Sequence, residues 1–212
     1  MTIYALSSGP GMSGVAVIRI SGPDSSEILK LLTNHELPVP RVATLRKINN
    51  INTSELIDEG LILWFPGPQS YTGEDMAEIH IHGGKAVVEA LLITLSNIQS
   101  CRIAEPGEFT KMAFQNGKIN LLKAESIGDL ISAETEIQRS QAIKTMSGKS
   151  SEKFTQLREK LLKILSFVEA KIDFPEEDLP EENLKKIKLD SYNVLDEINK
   201  ILNDQKVGEI IR

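Results

Sequence analysis

The chain has 212 residues, of which 41% are hydrophobic and 25% charged, with 24 Lys and Arg against 30 Asp and Glu for a formal net charge of −6. That length buries a real core as one large domain or two modest ones, and the composition is that of an ordinary globular chain. With Cys101 the single cysteine, these residues can form neither an intrachain disulfide nor a cysteine-based zinc site, and no stretch approaches the roughly 18 uninterrupted apolar residues of a membrane span. The charge is spread evenly: residues 1–118 carry 9 basic and 12 acidic side chains and residues 119–212 carry 15 and 18, so each part nets −3. No basic tail or positive half marks a nucleic-acid surface, although a local patch can outweigh global charge. The opening "MTIYALSSGPGMSG" lacks a charged head and a long apolar core, so no signal peptide is expected and a cytoplasmic protein is the default.

In chain order, "TIYAL" (2–6) and "GVAVIRIS" (14–21) read as strands separated by the Gly/Ser/Pro loop "SSGPGMSG". "PDSSEILKLLT" (23–33) reads as a helix with Asp24 or Ser25 as N-cap. "DEGLILWF" (58–65) and "DMAEIHIH" (75–82) are two further strands. "KAVVEALLITLSNI" (85–98) carries apolar residues at 87, 88, 91, 92 and 95, which is helical spacing. "CRIA" is short and extended, and "EPGEFTKMAFQNG" (105–117) is a short helix stopped by Gly117. This part predicts an α+β domain with a largely antiparallel or mixed sheet over residues 1–118.

From Ile119 onward the pattern turns helical. "NLLKAESIGDLISAET" (120–135) is amphipathic, and "SEKFTQLREKLLKILSFVEAKI" (151–172) sets Phe154, Leu157, Leu161, Leu165, Val168 and Ile172 on one stripe. "DFPEEDLPEE" (173–182) breaks the pattern with two prolines before "NLKKIKLDSYNVLDEINKILND" (183–204) resumes it. Three long helices with one apolar stripe each predict part of an antiparallel bundle over 119–212, one member short of the usual four.

Candidate chemistry centres on "YTGEDMAEIHIHGG" (71–84). Successive side chains of a strand alternate faces, so Glu78, His80 and His82 share one side and Ala77, Ile79 and Ile81 the other. Zinc needs at least three well-placed ligands, and the only other histidine, His35, lies in a polar stretch after the first helix. A solvated or hydrogen-bonded polar face explains Glu78, His80 and His82 more economically, and no metal is expected. "SGKSS" (147–151) ends like a phosphate-binding loop, but that motif needs glycine where position 143 is isoleucine, and "GGKA" (83–86) has Ala86 where a hydroxyl belongs. No serine elbow or cysteine–base pair is present, so no catalytic residue is assigned. Arg19 is out of place in the apolar strand "VAVIRIS", since a charge there is rarely fully buried unless paired. Glu78 and Lys118 carry the same ambiguity: each is either a solvated surface group or part of a ligand clamp.

"SGPGMSGVAVIRISG" (8–22), "LWFPGPQSYTGEDMAEIHIHGG" (63–84), "RIAEPGEFTKMAFQNGKINLLKAESIGDLISAET" (102–135) and "VEAKIDFPEED" (168–178) together resemble the MnmE family, also called TrmE, whose GTPases modify the wobble uridine of certain tRNAs. The resemblance runs along essentially the whole chain. It implies an aminomethyltransferase-like folate-binding fold for residues 1–118, which in the family also forms the homodimer, and the first half of a helical domain for 119–212. It further implies that a tetrahydrofolate one-carbon derivative such as 5-formyltetrahydrofolate is held by Arg19, Glu78 and Lys118. A carboxylate can accept adjacent pterin N–H donors in parallel, as Glu78 would, while a glutamyl tail or formyl oxygen calls for partners such as Arg19 and Lys118. His82 falls on the family's "HGG", while His80 stands where relatives vary.

The same resemblance implies work on U34 of tRNA with a flavoprotein partner, MnmG or GidA, that uses FAD and NADH. GTP, Mg²⁺ and K⁺ belong in the family to a GTPase domain expected to begin where this sequence stops at "KVGEIIR", and the family's C-terminal Cys-x-Gly-Lys is likewise not among these residues. The chain alone is therefore expected not to bind GTP. The competing expectation is a non-catalytic dimerisation or scaffold module that binds the flavoprotein without using folate. An independent aminomethyl- or formyltransferase would need more substrate-binding sequence than 118 residues provide.

Overall fold

The computed structural model describes residues 1–173 and 181–203, and the chain divides into two compact units, Met1–Asn120 and Leu121–Arg212. Most of the expected proline-containing break at 173–182, and all of "KVGEIIR", lie outside the described residues.

The first unit runs β1 (Thr2–Leu6), β2 (Ser13–Ser21), α1 (Ser25–Thr33), β3 (Thr44–Asn49), β4 (Leu56–Phe65), β5 (Met76–Gly83), α2 (Lys85–Ser96), β6 (Cys101–Ile103) and α3 (Glu108–Gln115). Its strands form one sheet in the order β3-β4-β5-β2-β1-β6. Every pair is antiparallel except β1 with β6, which makes the sheet mixed and the domain α+β. Alternation selects the core side. Ile18 and Ile20 of β2, Ile62 and Trp64 of β4, and Ile79 and Ile81 of β5 are buried together with Ile28, Leu29 and Leu32 of α1 and Leu91 and Leu95 of α2. Both long helices therefore cover one face of the sheet, and the residues between these, Arg19 and Glu78 among them, fall on the other.

Two local expectations need correction. Strand β3 had no sequence prediction: "TLRKIN" carries two cations, and Ile48 is its one fully buried side chain, because an edge strand presents little to a core. Asp24 does stand at the N-cap of α1, but its side chain caps nothing. It serves a tertiary contact instead, accepting from Thr2 Oγ1 at 3.3 Å while its backbone N–H donates to the same hydroxyl at 3.0 Å.

The second unit holds α4 (Leu121–Ser132), α5 (Glu136–Met146), α6 (Lys149–Asp173) and α7 (Glu181–Leu202). The helix α5 begins at a capping box in which Thr135 and Gln138 bond each other's backbone N–H. Gly148, in the segment that mimics a phosphate loop, lies between α5 and α6 with φ +91°. Helix α4 packs on α5, and α6 on α5 and α7. The stripe expected on α6 is present but mostly uncovered: Leu157 is buried, whereas Phe154, Leu161 and Leu165 are about half exposed and Ile172 more so. Among the described residues no helix is long and apolar enough to cross a membrane.

Candidate functional site

The sheet face away from α1 and α2 has a charged pair at its centre. In the β2–β5 register Arg19 lies directly opposite Glu78, with Leu63 of β4 on Glu78's other flank. Arg19 Nε and Nη2 both donate to a single carboxylate oxygen, Oε1, at 3.0 and 2.7 Å. More than seven-tenths of each side chain is shielded, with exposures of 27% and 18%. The guanidinium carbon also sits 5.6 Å from the ring centre of Tyr71 and 5.5 Å from that of Phe109, within cation–π range of both. An arginine in an apolar strand is thus explained by a partner 59 residues away.

The other polar residues of β5 diverge from this pair. His82 turns toward β4: its backbone N–H donates to Asp58 Oδ2 at 2.7 Å and its ring Nδ1 lies 2.9 Å from Asp58 Oδ1. Burial works to raise the Asp58 carboxyl, but the hydrogen bonds from His82 and from the Glu59 backbone outweigh it and hold the group below its ordinary range. His80 lies between, with Nε2 3.7 Å from Glu78 Oε2. That nitrogen is buried and has no hydrogen-bond partner among the described residues. Gly60 of β4 is required here, since a Cβ would stand 2.1 Å from the His80 carbonyl oxygen. Among the described residues no three His, Cys, Asp or Glu are grouped to hold a metal ion. The lone thiol is buried, and burial followed by the charge of Asp24 pushes Cys101 up to about 11, far from a reactive thiolate.

Lys118 enters the site through a loop. Residues 66–75 connect β4 to β5 and are held from several sides. Lys118 Nζ donates to the Pro68 carbonyl at 2.8 Å, Asn116 Nδ2 to the Thr72 carbonyl at 2.8 Å, and the Thr72 hydroxyl lies 2.7 Å from that of Ser21 on β2. Tyr71 OH meets Thr110 Oγ1 of α3 at 2.9 Å. Gly117, at φ +67°, ends α3 and lets the Lys118 N–H return to the Ala113 carbonyl. The start of α3 is pinned by Arg102, whose hydrogen bonds hold the Glu108 carboxyl below its usual range. The structure therefore joins Arg19 and Glu78 directly, while the hydrogen bond of Lys118 goes to the loop that carries Tyr71.

Tyr71, Phe109, Thr72 and Asn116 belong to the site without having been singled out in the sequence. They lie inside the strings "SYTGED", "GEFT" and "FQNGK", but an aromatic ring beside a charge is visible only once the chain is folded. Chemically the cluster offers a carboxylate oxygen, Oε2, not taken by Arg19, a delocalised cation and two aromatic rings. That set suits a flat, nitrogen-rich heterocycle and provides no evident nucleophile.

Residues 2–118 match the family model for the GTP-binding protein TrmE N-terminus, and residues 121–212 match that for the MnmE helical domain. The chain is 74% identical over 212 residues to the tRNA modification GTPase MnmE of Pelagibacter ubique (strain HTCC1062), covering 100% of this chain and 48% of that protein. It is 48% identical over 210 residues to the protein of the same name from Rickettsia akari (strain Hartford), covering 99% and 47%. With that of Parvibaculum lavamentivorans it shares 43% over 211 residues, covering 100% and 48%. The chain spans about half the length of the curated relatives it matches.

Proposed function

The chain belongs to the MnmE (TrmE) family, and on that premise we propose that residues 1–118 bind a tetrahydrofolate one-carbon derivative such as 5-formyltetrahydrofolate. The observation that carries this reading is the arrangement of Glu78, whose Oε1 is held twice by Arg19 while its Oε2 takes no hydrogen bond among the described residues, beside the rings of Tyr71 and Phe109. Arg19 donates twice to Oε1, so the carboxylate receives a pterin N–H at Oε2 and Arg19 keeps it aimed. Lys118 sets the 66–75 loop and, on release from Pro68, supplies a cation to the tail or formyl oxygen. The bound one-carbon unit serves modification of the wobble uridine U34 at C5 in tRNA. The rest of this reading is a homodimer formed by the first unit, an FAD-dependent partner of the MnmG type, and a cytoplasmic setting.

Calorimetric titration with 5-formyltetrahydrofolate tests the proposal. Saturable binding is expected, weakened tenfold or more in Glu78→Gln, which keeps the side-chain volume but loses the charge that a donated hydrogen bond exploits. Unchanged affinity in that variant removes Glu78 from the site. The scaffold reading draws on Val15, Leu45 and Leu61, apolar residues left exposed in the first unit. A stable dimer by light scattering with no folate binding at millimolar ligand would favour it.

A further inference from the structure

We propose that His80 is a specificity-determining contact that, with the free oxygen of Glu78, reads a side-by-side N–H and C=O edge of the bound heterocycle. The inference rests on the folate reading of the site and adds a residue to it. Two adjacent polar atoms on β5 carry the argument. Glu78 Oε2 is left over after both Arg19 bonds go to Oε1. His80 Nε2, 3.7 Å away, is buried with no hydrogen-bond partner among the described residues. A buried ring nitrogen without a hydrogen bond costs stability unless something fills the gap, and a group donated by a ligand is one way to fill it.

The chemistry of the pair follows from its charges. An anionic oxygen at this distance suits the imidazole tautomer that carries its proton on Nε2. The two atoms then form one acceptor and one donor next to each other. Their complement is a ring edge with a donor beside an acceptor, as in a lactam, where N–H faces Oε2 and C=O faces Nε2. The 4-oxo pyrimidine ring of a pterin has that edge. Replacing its 4-oxo group by an amino group turns the acceptor into a donor, set against the His80 proton, and also leaves the neighbouring ring nitrogen without the proton that faces Oε2. His80, though not Glu78, borders an open cavity of about 230 Å³ shared with Val15, Leu45, Glu59, Leu61 and His82. Its backbone is held in place by the close approach of Gly60, so the imidazole is presented from a rigid central strand.

The test measures affinities of the 212-residue chain for 5-formyltetrahydrofolate and for its 4-amino-4-deoxy analogue, in wild type, His80→Val and His80→Gln. Wild type is expected to prefer the 4-oxo ligand by tenfold or more. His80→Val should lose several-fold of that preference, the remainder belonging to the ring N–H that faces Glu78, and His80→Gln, which restores a donor, should recover much of the loss. A His80→Val protein that keeps the wild-type ratio overturns the proposal, whether both affinities hold or both fall together, since a merely structural role moves them equally. Retained preference in Val with loss in Gln overturns it as well. Binding of neither ligand by wild type defeats the folate reading itself, which separates that failure from a failure of His80.

Discussion

Ile79 in the first unit and Leu165 in the second are both apolar residues at the correct period of their elements, yet Ile79 is 0% and Leu165 49% exposed. On β5 the alternate positions meet α1 and α2, whose own apolar residues close the other side. On α6, which packs on α5 and α7, Leu157 is buried while the stripe is left open along much of its length. Periodicity states which side of an element is apolar; how far that side is buried depends on what lies across from it. The charged residues repeat the lesson. Arg19 and Glu78 are shielded and tied to one another, whereas Lys160 and Glu197, which link α6 to α7, are both more than a third exposed.

Substitution sharpens this contrast most at the core. Ile79→Ala should cost about 2–5 kcal/mol, because it empties fully packed space between sheet and helices. Urea unfolding followed by Trp64 measures this, since Trp64 is the chain's one tryptophan and is buried in the first unit. Leu165→Ala should cost less than about 1 kcal/mol by helical circular dichroism. Equal costs at the two positions would mean that exposure does not distinguish the units in solution.

A smaller and pH-dependent effect is expected at Asp58. Its carboxyl is held below the ordinary range in the fold, so its contribution is fully present above the unfolded-state pKa, near 3.9, and disappears as pH falls through the lower folded value. Asp58→Asn should therefore be less stable than wild type at neutral pH, with the gap closing below about pH 4. A gap that stays constant from pH 7 to 3 would show that the His82 contact does not depend on charge. The smallest change belongs to the exposed pair. Lys160→Met should shift the α6–α7 unfolding by no more than about 0.5 kcal/mol and be indifferent to added salt. A larger loss would place that link among the structural contacts of the second unit.

Much of the fold was legible because its signals are local. Ala77, Ile79 and Ile81 alternating with Glu78, His80 and His82 spell a half-buried strand, and Leu91 and Leu95 lie on the apolar spacing that marks α2. The strand β3 was not legible, since Arg46 and Lys47 disguise an edge that buries little beyond Ile48. Helix α5 was absorbed into a general helical reading because "EIQRSQAIKTM" has no apolar stripe. For the site, Arg19 was conspicuous as a charge in an apolar run, and Glu78 and Lys118 were marked by the strings around them. The aromatic pair and the loop clamps were not visible, because Tyr71 and Phe109 are ordinary residues until the fold sets them beside a guanidinium.

Alternation along β2 and β5 by itself determined that Arg19, Glu78, His80 and His82 would lie away from the apolar core, because side-chain direction in a strand is a property of the local backbone. Which of them would meet was decided only by tertiary structure. The β2–β5 register sets Arg19 opposite Glu78, the β4–β5 pairing brings Asp58 to His82, and His80 between them keeps a buried nitrogen with no hydrogen-bond partner among the described residues. Those pairings join residues tens of positions apart, and strand register is set by the packing of the whole sheet.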